Sequence, residues 1–213
     1  MQAAGTLRWC GDLQGGEPYV SQDPTDPARL VGFEVEIADG LARRLGVRAS
    51  FVQNDWQMLL PALERGDCDM VLNGLEVMPS RAARVRFSRP YFAFALTLVV
   101  RREDAARVRD LSDLRGHRVA TLGGSLAADV VAGSGVEMVL HEGVEEPYLD
   151  LEQGRVDGVV LDHIIAARYG VPRPALRQVA EVGEGVYAMA FRPADGALAI
   201  AVDGALAQMK ETG

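Results

Sequence analysis

The feature that most constrains this chain is a repeated alternation of short apolar strands with amphipathic helices. Thr6–Cys10 is a β-rich run. Ala38, Leu41, Ala42 and Leu45 recur at i, i+3, i+4 and i+7, which marks one helical face over Glu34–Leu45, and Gly46 stops it. Ala49–Gln53 reads as a strand. Trp56, Leu59, Leu60 and Leu63 form a second helical face closed by Gly66, and Asp69–Asn73 is a short strand of buried type. Such a β-α-β-α-β succession implies a parallel sheet covered by helices, because parallel neighbours need a long crossover.

The second half restarts the pattern. Leu96–Arg101 is strand-like, Arg102–Gly116 a polar helix or loop, and Arg118–Leu122 a strand ending in Gly123-Gly124-Ser125. A helix over Leu126–Ala132, a strand at Glu137–Leu140, a helix over Val144–Gln153 stopped by Gly154 and an apolar strand at Val156–Leu161 follow. Asp162 stands where it can N-cap the next helix, which runs to Tyr169. Arg177–Ala180 and Val186–Phe191 are expected strands, and the last helix puts Leu198, Ala201, Val202, Ala205 and Met209 on one face. Two βαβ blocks predict two α/β lobes, with the chain passing between them at Phe92–Val100 and Gly185–Phe191.

The 213 residues suit one large domain or two small ones, and 48% apolar with 24% charged residues is ordinary for a globular chain. A net charge of −8 argues against nucleic acid or an anionic membrane as main partner. No apolar run reaches spanning length. Met1–Gly5 lacks a basic region followed by an apolar stretch, so either a cytoplasmic protein or a mature domain is expected. Cys10 falls near the end of one strand and Cys68 near the start of another. In adjacent parallel strands these would be opposite sheet edges, so two free, buried thiols are expected.

In open α/β sheets ligands sit beyond the carboxyl ends of the strands. The residues there are Gly11 and Asp12, Asp55 and Trp56, the stretch from Gly74 to Arg81, Gly123-Gly124-Ser125, and Asp162. Arg81 can grip a carboxylate through two N–H bonds. Backbone N–H groups at Gly124–Leu126 add donors at a helix start. Asp162 can accept an ammonium, and Trp56 can cover an apolar portion. Together these describe a receptor for a zwitterion. Each also has a plain structural use: a solvated arginine, a helix cap, a core tryptophan, a turn.

Several segments resemble the periplasmic amino-acid-binding proteins of ABC importers, the family 3 extracellular solute-binding proteins. Val31-Gly32-Phe33-Glu34-Val35-Glu36-Ile37-Ala38 is similar to the family's Gly-Phe-x-Val-Asp-Ile/Leu-Ala segment. Asp55–Leu63 with Gly66 and Asp69 matches its next motif. Met78-Pro79-Ser80-Arg81 with Val85, Phe87-Ser88 and Pro90-Tyr91 matches Thr-x-x-Arg…Phe-Ser-x-Pro-Tyr. Gly124-Ser125 and Val156–Asp162 complete the set.

The resemblance implies an α/β protein of two Rossmann-like lobes with a two-strand hinge, the type II periplasmic binding fold. Lobe I would be residues 1–93 with 188–213, and lobe II residues 94–187. It implies that Arg81 binds the α-carboxylate and Asp162 the α-ammonium. Gly74, Glu76, Ser125 and Leu126 would complete the polar shell, Trp56 would pack on the side chain, and Asp12 and Gln14 would face the ligand. A periplasmic or extracellular monomer follows, without catalytic residues, metal or cofactor, serving a membrane permease that is separate or fused.

Two positions depart from the pattern. Met78 replaces a common Thr and is expected to pack beneath its loop. Glu76 replaces a small Ser or Thr and either faces solvent or adds a second carboxylate near the amine. The chain also ends earlier than the family usually does, an ending expected from a removed last helix or from continuation into a permease or receptor. The rival functions are a prephenate-type dehydratase on the same fold, with Glu76 as its acid, and the sensing domain of a receptor. His117, His141 and His163 have no metal spacing, and His163 is expected to be an exposed first-turn residue.

Overall fold

The structure, a computed structural model, describes residues 5–212. The strands are β1 (Thr6–Gly11), β2 (Ser21–Gln22), β3 (Leu30–Val31), β4 (Arg48–Gln53), β5 (Met70–Val71), β6 (Arg86–Phe87), β7 (Phe92–Arg101), β8 (Arg118–Leu122), β9 (Glu137–His141), β10 (Gly158–Asp162), β11 (Leu176–Tyr187) and β12 (Ala190–Phe191). The helices are α1 (Phe33–Leu45), α2 (Leu59–Arg65), α3 (Pro79–Ala82), α4 (Leu126–Ala132), α5 (Glu146–Glu152), α6 (His163–Ile165) and α7 (Gly196–Thr212).

The chain divides into two compact units. Unit 1 runs up to Phe92 and resumes at Val186; unit 2 is Ala93–Gly185. The sheet of unit 1 has the order β4-β1-β5-β12-β6, with β4, β1 and β5 parallel and β12 antiparallel to β5. That of unit 2 has the order β9-β8-β10-β7-β11, with β9, β8 and β10 parallel and β7 antiparallel to β10. Each unit is therefore the same arrangement: three parallel strands in the order 2-1-3, then an antiparallel strand beside the third.

Alternation along the strands makes both faces of the unit 1 sheet apolar, as a parallel sheet between helices requires. Leu7, Trp9, Met70, Leu72 and Phe191 point to one face, where Ala38 and Leu41 of α1 and Val202 and Leu206 of α7 cover them. Cys10, Val71 and Ala190 point to the other, beneath Leu59, Ala62 and Leu63 of α2. Helix α1 carries Glu34 and Glu36 in its first turn and Arg43 and Arg44 in its last, in accord with its dipole. Gly46, with φ 68°, turns the chain out of it, and Gly66, with φ 85°, does the same for α2.

The expectation of two free thiols is overturned: Cys10 and Cys68 form a disulfide, with Cα atoms 5.7 Å apart. Distance along the strands was the wrong measure. β5 is paired over only two residues, and Cys68 lies in the turn that enters it from α2. Asp69 N–H donates to the Arg8 carbonyl at 2.9 Å, which draws that turn beside β1. Cys10 and Cys68 face the same helix and share one apolar cluster. A second difference is β11, a strand of 12 residues that runs from the expected Arg177–Ala180 into the start of the expected Val186–Phe191, whose end is β12. Gly183 and Gly185 dilute its signal, and both lie close to side chains: a Cβ on Gly185 would lie 2.5 Å from the Phe94 ring, and one on Gly183 3.1 Å from the Leu96 side chain.

Candidate functional site

In unit 1 the parallel strands β1, β4 and β5 end together, and their following loops hold the expected residues. Asp12 is buried and joins all three loops. Its Oδ1 accepts from Gln14 N–H at 2.9 Å and Gln53 Nε2 at 3.2 Å, its Oδ2 accepts from Trp56 N–H at 2.7 Å, and its own N–H donates to Asn73 Oδ1 at 2.9 Å. The carboxylate thus braces the site, where the sequence suggested a ligand contact. Gln14 lies exposed in the short turn that Asp12 caps.

Arg81 projects from α3, whose first turn Pro79 starts with a φ already suited to a helix. Its guanidinium carbon lies 5.1 Å from the centre of the Trp56 ring, a cation–π arrangement. Its Nη1 donates to the Glu76 carbonyl at 3.1 Å and pairs with the Glu76 carboxylate. Glu76 is 2% exposed, so the solvent-facing alternative is overturned. It is a second carboxylate, and it sits on the arginine that the sequence offered to a ligand. Met78 is buried, as expected, and its carbonyl starts α3 by accepting from Arg81 and Ala82 N–H.

Gly74 needs to be glycine twice over. Its φ is +58°, and a Cβ there would lie 3.0 Å from the Tyr19 ring. Its N–H donates to Glu34 Oε1 at 2.6 Å. Glu34 is fully buried and was missed as a functional candidate. Burial pushes its carboxyl up to about 7, against hydrogen bonds from Tyr91, Gly74 and Asn73 that pull it back. The signal was present: Glu34 continues the Ala38–Leu41–Leu45 stripe at i−4, so a carboxylate lies on the apolar face of α1.

In unit 2, Ser125 caps α4 and is buried. Its Oγ accepts from Ala128 N–H at 3.2 Å and donates to the Leu122 carbonyl at 2.8 Å. Gly124 before it has φ +71°, and Leu126 opens the helix. Asp162 ends β10 at 7% exposure and occupies the N-cap position of α6, yet its side chain makes no capping bond. Its negative charge acts instead on the buried Tyr148 phenol, which burial first and Asp162 second push well above its usual value. His163 is half-buried, and its Nδ1 accepts from Ala95 N–H at 3.1 Å, a structural use in place of the exposed one expected.

Unit 1 offers a guanidinium on an aromatic face with an acid beside it, and unit 2 offers a buried carboxylate. Among the described residues there is no His, Cys, Asp and Glu grouping able to hold a metal, and no helix long and apolar enough to cross a membrane.

Residues 10–213 match the model of bacterial extracellular solute-binding proteins, family 3. The chain is 25% identical to ABC transporter arginine-binding protein 1 of Escherichia coli (strain K12), over 86% of this chain and 78% of that protein. Its structure is similar to a mutant of ArgBP from T. maritima, with TM-score 0.90, 28% identity and coverage of 100% of this chain and 92% of the other. It is equally similar to an ancestral amino acid-binding protein described as a precursor of cyclohexadienyl dehydratase, with TM-score 0.90, 28% identity and coverage of 99% and 92%. The architecture is the two-unit α/β fold of type II periplasmic binding proteins, and the chain belongs to the bacterial extracellular solute-binding proteins, family 3.

Proposed function

We propose that this chain captures an amino acid outside the cytoplasm and delivers it to an ABC transporter, by binding without chemistry. The observation that carries this is Arg81 laid over Trp56 at the strand ends of unit 1. A guanidinium there recognises an α-carboxylate, while the indole covers the carbon skeleton. Asp162 in unit 2 accepts the α-ammonium, and the Gly74–Glu76 and Ser125–Leu126 segments complete the polar shell. Asp12 acts by placing Trp56. The two units, which change over at Phe92 and at Val186, act as the lobes of a clamp. A ligand that needs both sets of groups favours the closed state, because it interacts differently with the two states.

The buried disulfide supports an oxidising, extracytoplasmic setting. The arginine-binding relative makes amino acids with a cationic side chain the first class to test. The domain acts as a monomer and serves a permease, separate or joined in one chain. A dehydratase would need Glu76 as an available acid, and here that carboxylate is committed to Arg81.

The test is a binding titration of Arg81→Ala and Asp162→Ala against a panel of amino acids. Hydrogen bonds to charged groups are worth about 1.5–3 kcal/mol each, so each variant should lose roughly 100-fold in affinity or more. Retained affinity in either variant would count against the site.

A further inference from the structure

Glu34 sits at the centre of a polar layer inside unit 1. Its Oε1 accepts from Gly74 N–H and from the Tyr91 hydroxyl, at 2.6 and 2.5 Å. Gly74 begins the segment that ends at Glu76, the partner of Arg81. That segment is stitched to the chain around Tyr187: Glu76 and Tyr187 form a β-bridge, Val77 N–H donates to Val186 O at 3.0 Å, and Ala188 N–H donates to Leu75 O at 3.1 Å. Tyr91 N–H donates to Tyr187 O at 3.0 Å, and the Tyr187 hydroxyl lies 2.7 Å from that of Tyr19. One carboxylate therefore touches both the Gly74–Glu76 segment and the residue beside Phe92, where the chain leaves unit 1.

We propose that Glu34 is a positioning residue whose ionisation sets how firmly the Gly74–Glu76 segment is held, so that ligand capture strengthens as Glu34 loses its proton. The inference rests on the reading of that segment as part of the ligand site. An ionised carboxylate accepts hydrogen bonds roughly twice as strongly as a neutral acid or amide, and both bonds to Oε1 gain. Glu34 titrates where this matters, since burial brings its carboxyl to about 7. The titratable group in contact with it is Tyr91, with Tyr19 behind, and among the described residues no arginine, lysine or histidine acts on it. The other acids of α1, Glu36 and Asp39, are exposed.

The test is calorimetric titration of the whole chain, wild type and Glu34→Gln, with the twenty amino acids from about pH 5.5 to about pH 8.5, a window that spans the Glu34 transition. Wild type should tighten about tenfold as pH rises, with a midpoint near 7, since stronger bonds to Oε1 are worth of order one tenfold step. Glu34→Gln keeps an acceptor oxygen but no charge, and should bind at the weaker level with no slope. An equal slope in Glu34→Gln overturns the proposal. A flat wild-type profile overturns it too. Tyr91→Phe removes one donor to the carboxylate and should move the midpoint upward. It keeps the test open if Glu34→Gln fails to fold, and an unmoved midpoint counts against the proposal. Binding without a Glu34-dependent slope sinks this inference alone, whereas no binding by any amino acid at any pH sinks the receptor reading and this inference with it.

Discussion

Unit 1 and unit 2 have the same strand order, 2-1-3 with an antiparallel fourth, but unit 1 adds a covalent tie. In unit 1 a disulfide ties β1 to the entry of β5, and Asp12, Glu34 and Glu76 each accept from groups in neighbouring loops. Both units carry an ionic tie where the third parallel strand begins: Asp69 pairs with Arg8 at 2.9 Å in unit 1, and Asp157 takes that place in unit 2, where there is no disulfide. Arg101 donates to the Val156 carbonyl at 2.6 Å and pairs with Asp104 and Asp157 at 3.0 and 3.1 Å. Burial raises the Asp157 carboxyl, but hydrogen bonds from Arg101 and Arg118 N–H outweigh it and hold the group below its usual value. The difference teaches that a shared topology fixes where the loops emerge, while local bonds decide which loops are pre-set. In unit 1 Glu76 pairs with the arginine while Asp12 places Trp56 and Glu34 places Gly74; Asp162 of unit 2 is buried without closing its own helix cap.

The largest expected effect breaks the covalent half of this contrast. The disulfide closes a separation of 58 residues, for which chain entropy gives about 4 kcal/mol of stabilisation. Cys10→Ala/Cys68→Ala should lower stability by about that much in chemical denaturation, and reductant should do the same to the wild type only. An unchanged midpoint would show that unit 1 does not depend on its staple.

The next effect concerns Glu34. Its folded-state value, about 7, lies above the ordinary 4.5, so the folded chain holds the proton more tightly than the unfolded one. The contribution is fully present below about 4.5 and is lost as pH rises through about 7, a change of roughly 3 kcal/mol. Denaturation across this range should show that loss in the wild type, and Glu34→Gln should remove it. Stability and capture thus respond to the same proton in opposite directions.

Slightly smaller is the pairing of Arg81 with Glu76. Arg81→Ala strands a buried carboxylate and should reduce stability as well as binding. Adding Glu76→Gln should restore the stability and leave the affinity low. Recovery of both would mean that Arg81 serves the fold alone. The smallest effect falls in unit 2, where Ser125→Ala removes the α4 cap and should cost about 1 kcal/mol. Comparison of that loss with the unit 1 variants shows whether the two units unfold together.

Much of this was legible because periodic patterns and terminators act locally. The faces of α1 and α2, the stops at Gly46, Gly66 and Gly154, and the span of α4 need only neighbours within a few residues. The disulfide was not legible, because it depends on how the chain turns into a strand paired over two residues. β11 was obscured by glycines whose reason is the Phe94 ring and the Leu96 side chain on other strands. For the site, Arg81, Trp56 and Asp162 stood out by type and place. The pairing of Arg81 with Glu76 and the bracing by Asp12 did not, since both join residues through side-chain geometry. Glu34 was passed over as one residue of a helix and a family segment, because the bonds that give it a role come from Gly74 and Tyr91, far along the chain.

The central claim is that this chain binds an amino acid through Arg81. The most direct test is a thermal-shift screen of the purified chain against the twenty amino acids, followed by calorimetry on wild type and Arg81→Ala. A ligand at 100 times its Kd stabilises by about 2.7 kcal/mol, so a true ligand should raise the melting temperature plainly, and Arg81→Ala should lose that rise. A folded protein that responds to none of the twenty, or an Arg81→Ala variant that responds as the wild type does, would contradict the account.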